Sequence, residues 1–367
     1  MTGVLIVIGK VLLTFVVGLG AVVFLVWGER KVVADLQNRI GPNRAGPWGM
    51  LQTVADGLKL FFKEQITPSR VERFVFELAP FLAAVPALLL LTVIPLARPV
   101  EVTIDGAVET ISFAALDINV GLLFALAMSS IAVYAIVLAG WSSGSKYPLI
   151  GGIRGSAQAI SYEAAMGLAM VAVVMWVSTL PAVTDMGALS INEIVLRQQG
   201  TFFPNITALS WIPAWNLVPQ FPAFVIFMIA IFAETNRAPF DLVEAEQEIV
   251  AGFNTEYSGM RFAMFFLAEY MNMFTMSALA VSLFLGGWGG PLFGLDGWAA
   301  TGLSFVYFAI KTIVVLFLFV WVRATFPRFR YDQLMQLGWK RLIPTALVWL
   351  ILTTLVVSFR EFGAPWA

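Results

Sequence analysis

The chain has 367 residues, of which 59% are hydrophobic and only 12% are charged, and its mean hydropathy is +0.86. This composition excludes a soluble domain and is typical of a polytopic membrane protein. Cysteine and histidine are both missing, which excludes thiolate or imidazole ligands for an iron–sulfur cluster, a haem or a zinc ion. The net charge of −1 and the lack of a basic stripe give no indication of a nucleic-acid partner.

Eight apolar segments are long enough to cross a bilayer, which requires about 20 residues for each helix. The sequence therefore predicts an all-α fold with one membrane domain, 1–367. The stretch 202–216 is too rich in proline and tryptophan for a ninth span and is interpreted as an interfacial or re-entrant piece. The eight spans lie near 3–27, 76–97, 117–140, 157–180, 217–233, 260–287, 302–322 and 340–358.

The basic residues predict the orientation of these spans. Of the 22 lysines and arginines, 17 lie in four alternate connections, which are 28–75, 141–156, 234–261 and 323–341. The positive-inside rule makes these the cytoplasmic loops and puts both termini outside. The outer loops are then 98–116, 181–216 and 288–301.

The first cytoplasmic loop contains an amphipathic pattern. Apolar residues recur at helical spacing between positions 50 and 62, which predicts a helix that lies in the membrane interface. Together with this helix, Glu29 and Arg30 at the end of the first span are interpreted as the rim of a mouth for a lipophilic ligand entering from the bilayer. The alternative for the basic residues here is that they only anchor the helix at the interface.

Two carboxylates lie within predicted spans. Glu163 and Glu269 are roughly 9 and 13 Å from the cytoplasmic surface at 1.5 Å per residue, where a charge costs about 2.5–3.5 kcal/mol. We interpret both as proton-relay residues; the alternative is a packing ion pair with Arg154 or Arg237. Lys311, midway along the seventh span, either neutralises Glu269 or joins the relay.

A cluster of acids follows the fifth span. On a helix Asp241, Glu244 and Glu248 would share a face, whereas on an extended chain Glu244, Glu246 and Glu248 would align. Crowded carboxylates in a poorly solvated site share protons and titrate as a unit; the alternative is a solvated acidic loop. The cluster surrounds Arg237 and consists of Glu234, Asp241, Glu244, Glu246, Glu248 and Glu256.

Ten stretches in the cytoplasmic loops and helices resemble, in the right order, the H subunit of proton-pumping NADH–quinone oxidoreductase, respiratory complex I. Several long matches are specific where one short motif is not. The stretches are ERK at 29–31, RIGPN at 39–43, GMLQ at 49–52, ADGLKL at 55–60, GSKYPL at 144–149, AQAISYE at 157–163, ETNRAPFD at 234–241, GFNTEY at 252–257, AEY at 268–270 and RATFPRFRYDQLM at 323–335.

The resemblance implies an eight-helix subunit that joins the pumping arm to the hydrophilic redox arm and through which the quinone enters. By matching position it assigns two groups of residues. The quinone passage would contain Glu29, Arg30, Arg39 and Asp56. The acidic route from the quinone cavity to the pumps would contain Glu163, Glu234, Asp241, Glu244, Glu246, Glu248 and Glu269.

The resemblance also implies the partners and the location. The chain would carry no cofactor of its own; quinone would be the substrate, and FMN and iron–sulfur clusters would lie on the other membrane and hydrophilic subunits. It would be a multi-pass protein of a bacterial cell membrane. Two alternatives remain: a membrane subunit of a related hydrogenase-type complex, and an autonomous proton-coupled carrier, against which the lack of an internal repeat counts.

Overall fold

The fold is described from a computed structural model, covering residues 2–104, 107–201, 213–243 and 246–362. The prediction of an all-α polytopic protein is confirmed, because each of the eight predicted spans coincides with a helix. These helices are α1 (Thr2–Leu36), α3 (Arg73–Thr92), α4 (Gly121–Ser142), α5 (Lys146–Ser178), α7 (Phe221–Glu234), α9 (Gly259–Phe284), α10 (Gly297–Thr325) and α12 (Ile343–Phe362).

Shorter elements connect these helices. An antiparallel hairpin pairs Val100 with Ile111 in the loop after α3. Short 3₁₀ turns lie at Pro47–Gly49 and Gly252–Asn254, and a π-helical turn at Leu337–Leu342 leads into α12. The connecting elements are α2 (Gln52–Phe62), β1 (Val100–Ile104), β2 (Ala107–Ile111), α6 (Ile191–Arg197), α8 (Glu246–Ile249) and α11 (Tyr331–Gln336).

Seven helical segments of the described chain are long and apolar enough to cross a membrane, and α11 and α12 together form one of them. The remaining predicted span, α7, has 14 residues. At 1.5 Å per residue it is about 21 Å long, which is shorter than the hydrocarbon core of about 30 Å. Its polar end at Glu234 is only 6% exposed and lies inside the protein.

Three helices continue into segments that we predicted to be loops. The first extends to Leu36, where the positive φ of Asn38 (52°) turns the chain. The helix α5 begins at Lys146 and not near 157, because Pro148 lies in its first turn, where proline is tolerated. The C-terminal helical segment begins at Tyr331 within the predicted loop 323–341. Hydropathy identifies only the apolar part of a helix, so it did not predict these polar extensions.

The helix α9 is the centre of the bundle. Its most apolar window is 72% buried, compared with 28% for α1, which lies at the edge. The helices α3, α10, α1 and α7 contact it directly, whereas α4 packs on α3 and α5, and α5 packs on α7 and α12. Small residues permit the close approach of α4 and α5: a Cβ added at Gly140 would lie 2.4 Å from the carbonyl oxygen of Pro148.

The predicted amphipathic helix is present as α2. It contains no buried residue, and it lies beside α1 and α9. Its apolar side chains are exposed by 43–81%; they include Val54, Leu58, Phe61 and Phe62. Its position in the membrane interface stays a prediction. Most of the predicted interfacial stretch 202–216 lies outside the described residues.

Candidate buried charge network and apolar crevice

Arg237 lies at the centre of a buried ionic network. The helix α7 ends at Glu234, and the positive φ of Asn236 (52°) directs the chain back so that Arg237 N–H donates to the carbonyl of Phe232 at 3.3 Å. Arg237 is only 6% exposed. Its Nε is 3.2 Å from Glu269 Oε1 and its Nη1 is 3.6 Å from Glu29 Oε1. Of the two arginines proposed as partners of Glu269, the structure places Arg237 beside it.

Two further side chains complete the network. Tyr270 donates its hydroxyl to Glu29 Oε2 at 2.6 Å, and its ring lies 4.2 Å from the guanidinium carbon of Arg237. Arg323 donates to Glu29 Oε1. Burial alone would lower the pKa of Arg237, but the carboxylates Glu269 and Glu29 outweigh it and raise that pKa. Two carboxylates are thus balanced by two guanidinium groups.

Glu234 and Glu163 have hydroxyl partners and no basic ones among the described residues. Ser129 Oγ donates to Glu234 Oε1 at 2.6 Å, and the next residue, Ser130, donates to Glu163 Oε1. The second oxygen of Glu234, Oε2, is buried and has no hydrogen-bond partner within the described chain. The alternative of an ion pair between Glu163 and Arg154 is not observed, because Arg154 Nη2 binds Glu248 Oε2 at 2.7 Å.

The depths predicted for Glu163 and Glu269 below the membrane surface stay predictions, because the structure gives only their positions along their helices. Glu163 stands 17 positions after Lys146, the first residue of α5, which corresponds to about 26 Å along the helix. Glu269 stands 10 positions after Gly259, the first residue of α9, or about 15 Å. The first distance is larger because α5 begins well before its apolar part.

Glu234 and Glu269 line one cavity of about 70 Å³, which we name the acidic cavity. Its polar lining also includes Ser129, Asn236 and Asn272, and apolar residues of α3, α4 and α9 form much of the rest. A polar cavity of this size accommodates more than one water molecule. The acidic cavity therefore brings an acid of α7 and an acid of α9 to a common space.

Two described acids of the loop after α7, Asp241 and Glu248, have separate partners. Asp241 accepts a hydrogen bond from Arg328 Nη2 at 2.7 Å, whereas Glu248 pairs with Arg154 and is half exposed. Residues 241–243 are not helical, so Asp241 and Glu248 do not share a continuous helix face. Glu244 and the side chain of Glu246 lie outside the described residues.

The predicted quinone-side residues are only partly brought together. Arg30 Nη1 binds Asp56 Oδ2 at 2.6 Å, which joins α1 to α2. Partial burial would raise the pKa of Asp56, but hydrogen bonds from Arg30 and Gln52 outweigh it and lower the pKa. Arg39 is exposed and donates to Gln37 at 2.7 Å, so it lies apart from this group.

A large apolar crevice of about 660 Å³ lies between α1 and α10, and we name it the α1–α10 crevice. Its walls are almost entirely aliphatic and aromatic, with Phe24, Phe308, Ala309 and Phe317 among them. The acidic residue Glu29 lines it and at the same time belongs to the ionic network around Arg237. The crevice and the network therefore meet at this carboxylate.

Lys311 binds the end of α9 and forms no ion pair with a carboxylate among the described residues. Its Nζ donates to the carbonyls of Leu285, Gly287 and Gly289 at 2.7, 3.0 and 2.8 Å, and it lies 4.6 Å from the ring of Trp215. The carbonyls at the end of a helix are electronegative and favour a cation. Neutralisation of Glu269 is therefore carried out by Arg237 and not by Lys311.

Several site residues were missed at the sequence level. Ser129 and Ser130 are two polar residues within an apolar span, and polar residues at membrane depth are themselves a signal. A second buried pair, Glu193 and Arg197 of α6, was missed as well; their oxygen and nitrogen lie 2.7 Å apart. Burial would raise the pKa of Glu193, but hydrogen bonds from Thr184, the Val183 backbone and Arg197 outweigh it and lower the pKa.

The fold and these sites define a multi-pass, all-helical membrane protein with a charged network buried between its helices and an apolar crevice at the network's edge. Comparison with known proteins identifies its family. Residues 9–354 match the family described as NADH dehydrogenase. The first of two NADH-quinone oxidoreductase H subunits of Geobacter sulfurreducens is 47% identical over 361 residues, covering 96% of this chain and 95% of the relative.

The corresponding H subunit of Paramagnetospirillum magneticum is 46% identical over 338 residues, covering 92% of this chain and 88% of the relative. The chain belongs to this family, whose members include the H subunits of NADH-quinone oxidoreductase. The resemblance inferred from the ten sequence stretches is thereby confirmed.

Proposed function

We propose that this chain is the membrane subunit of an NADH–quinone oxidoreductase that forms a passage for the quinone and couples quinone reduction to proton translocation. The observation that carries the proposal is the meeting of the α1–α10 crevice with the ionic network at Glu29. A long apolar space suits an isoprenoid tail, and a charged network at its inner edge suits a polar headgroup.

The buried acids supply the coupling in this proposal. A change of charge at the quinone headgroup would be felt first by Glu29, which is paired with Arg237 and through it with Glu269. The acidic cavity joins Glu269 to Glu234. Because interacting carboxylates in a poorly solvated site titrate together, a change at one end would redistribute protons along the series.

The proposal assigns the redox chemistry to partner subunits. The chain has no cysteine or histidine and hence no usual side-chain ligands for an iron–sulfur cluster or a haem. Electrons would therefore reach the quinone from FMN and iron–sulfur clusters that other subunits hold. The chain would lie in a bacterial cell membrane, with both termini outside.

The passage is tested by narrowing the crevice. Ala309→Trp adds an indole ring to the wall of the α1–α10 crevice. We expect about a tenfold higher KM for a quinone with a long isoprenoid tail, because one to two kcal/mol of apolar contact is lost. The measurement compares NADH oxidation by long-tailed and short-tailed quinones in membranes that carry the variant complex.

The matched control is Ile310→Trp, at the next position of the same helix, where the side chain is 53% exposed and does not line the crevice. It should leave both KM values unchanged. Equal KM values for Ala309→Trp and the wild type, with the long-tailed quinone, would place the passage elsewhere.

The coupling role is tested by neutralising the acids. Glu163→Gln and Glu269→Gln keep the shape of the side chain and remove its charge. We expect proton pumping with quinone to fall about tenfold or more, while NADH oxidation by ferricyanide, which reports assembly of the redox arm, stays at the wild-type rate. Glu77→Gln, at a half-exposed position, is the control. Wild-type pumping by an assembled Glu269→Gln complex would contradict the proposal.

Subunit composition separates this function from its two alternatives. Purification in a mild detergent should recover the chain with NADH-oxidising subunits. Recovery with hydrogenase subunits would favour the hydrogenase-type complex, and migration of the chain alone would favour the autonomous carrier.

A further inference from the structure

Two consecutive serines of α4 face two different acids. Successive residues of an α-helix point about 100° apart, so two consecutive side chains can face two different helices packed against it. Ser129, which is 3% exposed, donates to Glu234 of α7 at 2.6 Å, and Ser130 donates to Glu163 of α5. A single turn of α4 therefore holds two carboxylates that belong to two other helices.

This use of a serine hydroxyl differs from that of the buried serines of α9. Ser277 of α9, which is 0% exposed, donates to the carbonyl of Met273 in its own helix at 2.8 Å, and Ser282 donates to the carbonyl of Ala278 in the same way. Such bonds are the local solution for a serine within an apolar helix. Ser129 and Ser130 are instead bonded to ionisable groups far away in sequence.

The two acids have few other partners. In the part of the chain that the structure describes, neither Glu163 nor Glu234 forms an ion pair with a lysine or arginine. The charged group that shares the acidic cavity with Glu234 is Glu269, which is paired with Arg237. Tyr162, next to Glu163, bonds the Leu334 carbonyl. The serine hydroxyls are therefore the direct polar contacts of these carboxylates within the described chain.

We infer that Ser129 and Ser130 are positioning residues. They hold the carboxylates of Glu234 and Glu163, which lie on α7 and α5, against a single turn of α4, so that the charge of either acid controls the protonation of the other. The inference rests on the proposed coupling function and extends the acidic route from the acidic cavity to α5. A hydroxyl group donates to an ionised carboxylate and accepts from a protonated one. The serines thus fit both protonation states without gaining or losing a proton.

Two substitutions test the inference in the assembled complex. In Ser129→Ala and Ser130→Ala the donor to one carboxylate is removed, which favours its protonated form. We expect the rate of proton pumping to fall about three- to tenfold at neutral pH. In the plot of pumping rate against pH, the part that depends on ionisation of these acids should shift to higher pH by about one unit. The rate of NADH oxidation by ferricyanide should not change.

A conservative variant and a control separate positioning from packing. Ser130→Thr keeps the hydroxyl and should restore both pumping and the pH profile. Ser277→Ala removes a buried hydroxyl that bonds only its own helix, and it should match the wild type. If Ser130→Ala fails to assemble, Ser130→Cys, which has nearly the same shape and a much weaker donor, should show the upward shift, and a wild-type profile for it would overturn the inference.

The outcomes for the serines and for the acids separate this inference from the proposed function. Wild-type pumping and pH profiles in both alanine variants, together with lost pumping in Glu163→Gln and Glu234→Gln, would overturn the serine inference alone. Wild-type pumping in the two glutamine variants would overturn the coupling function, and the serine inference with it.

Discussion

Arg237 shows how one buried cation makes several buried anions tolerable. Its side chain lies between Glu29 and Glu269 and stacks on Tyr270. An unpaired carboxylate in such surroundings costs several kcal/mol, which the ion pairs and hydrogen bonds of the network offset.

Removal of the Arg237 guanidinium should strongly destabilise the protein. Arg237→Ala leaves the negative charges of Glu269 and Glu29 with less neighbouring positive charge. We therefore expect the protein to lose about 3–5 kcal/mol of stability, which thermal unfolding in detergent would measure. Arg39→Ala is the control, because the side chain of Arg39 is exposed and donates to Gln37; the substitution should change stability by about 0.5 kcal/mol or less. Similar unfolding temperatures for the two variants would show that the network is not stabilising.

At the scale of elements, the glycines of α5 decide how closely the loop after α7 approaches the bundle. A Cβ at Gly151 would lie 2.8 Å from Gly252 Cα and 2.8 Å from Phe253 N. Both atoms belong to the backbone of the 3₁₀ turn Gly252–Asn254, so neither can move away as a flexible side chain would. The absence of a side chain at this position lets the turn lie directly on the helix.

Two alanine substitutions in α5, one at this contact and one away from it, test its contribution. Gly151→Ala should displace the turn, lower stability by about 1–3 kcal/mol and increase proteolysis of the loop. Gly167→Ala, also in α5, meets nothing within 4 Å and should be neutral or stabilising by up to about 1 kcal/mol, since alanine favours a helix over glycine. Limited proteolysis and thermal unfolding measure both. Equal behaviour of the two variants would mean that the turn does not depend on Gly151.

At the scale of the whole molecule, the charge pattern predicts a basic side and an acidic side. The eight predicted passages through the membrane would return the chain to the side on which it started, and by the positive-inside rule the connections rich in lysine and arginine are predicted to lie in the cytoplasm. The short α7 is compatible with this count because its polar end stays within the bundle beside α4 and α9.

The natural lack of cysteine makes the topology directly testable. Single cysteines introduced as Thr2→Cys or Glu361→Cys should react with a membrane-impermeant maleimide added to intact cells after outer-membrane permeabilisation. Gln65→Cys, in the first cytoplasmic loop, should react only in inverted vesicles. Labelling of Gln65→Cys in intact cells, or protection of the two terminal cysteines, would reverse the orientation.

Part of the site was predictable because its signals are local. Glu163 and Glu269 stand out in apolar segments, and Arg237 was identified as a possible partner of either. The actual pairings were not predictable: Glu29 and Arg323 lie 294 positions apart, and nothing in the sequence near Glu29 selects Arg323 over the other arginines. The serine partners of Glu163 and Glu234 were missed for the same reason.

The sequence by itself determined the class of protein, the eight helices and the amphipathic helix, because hydropathy and helical periodicity are properties of short stretches. Only the tertiary structure decided which charges meet. It separated Asp241 and Glu248 onto different arginines, assigned Lys311 to the carbonyls at the end of α9, and joined the α1–α10 crevice to the ionic network at Glu29. The physical reason is that an ion pair depends on distance in space, and helix packing sets that distance.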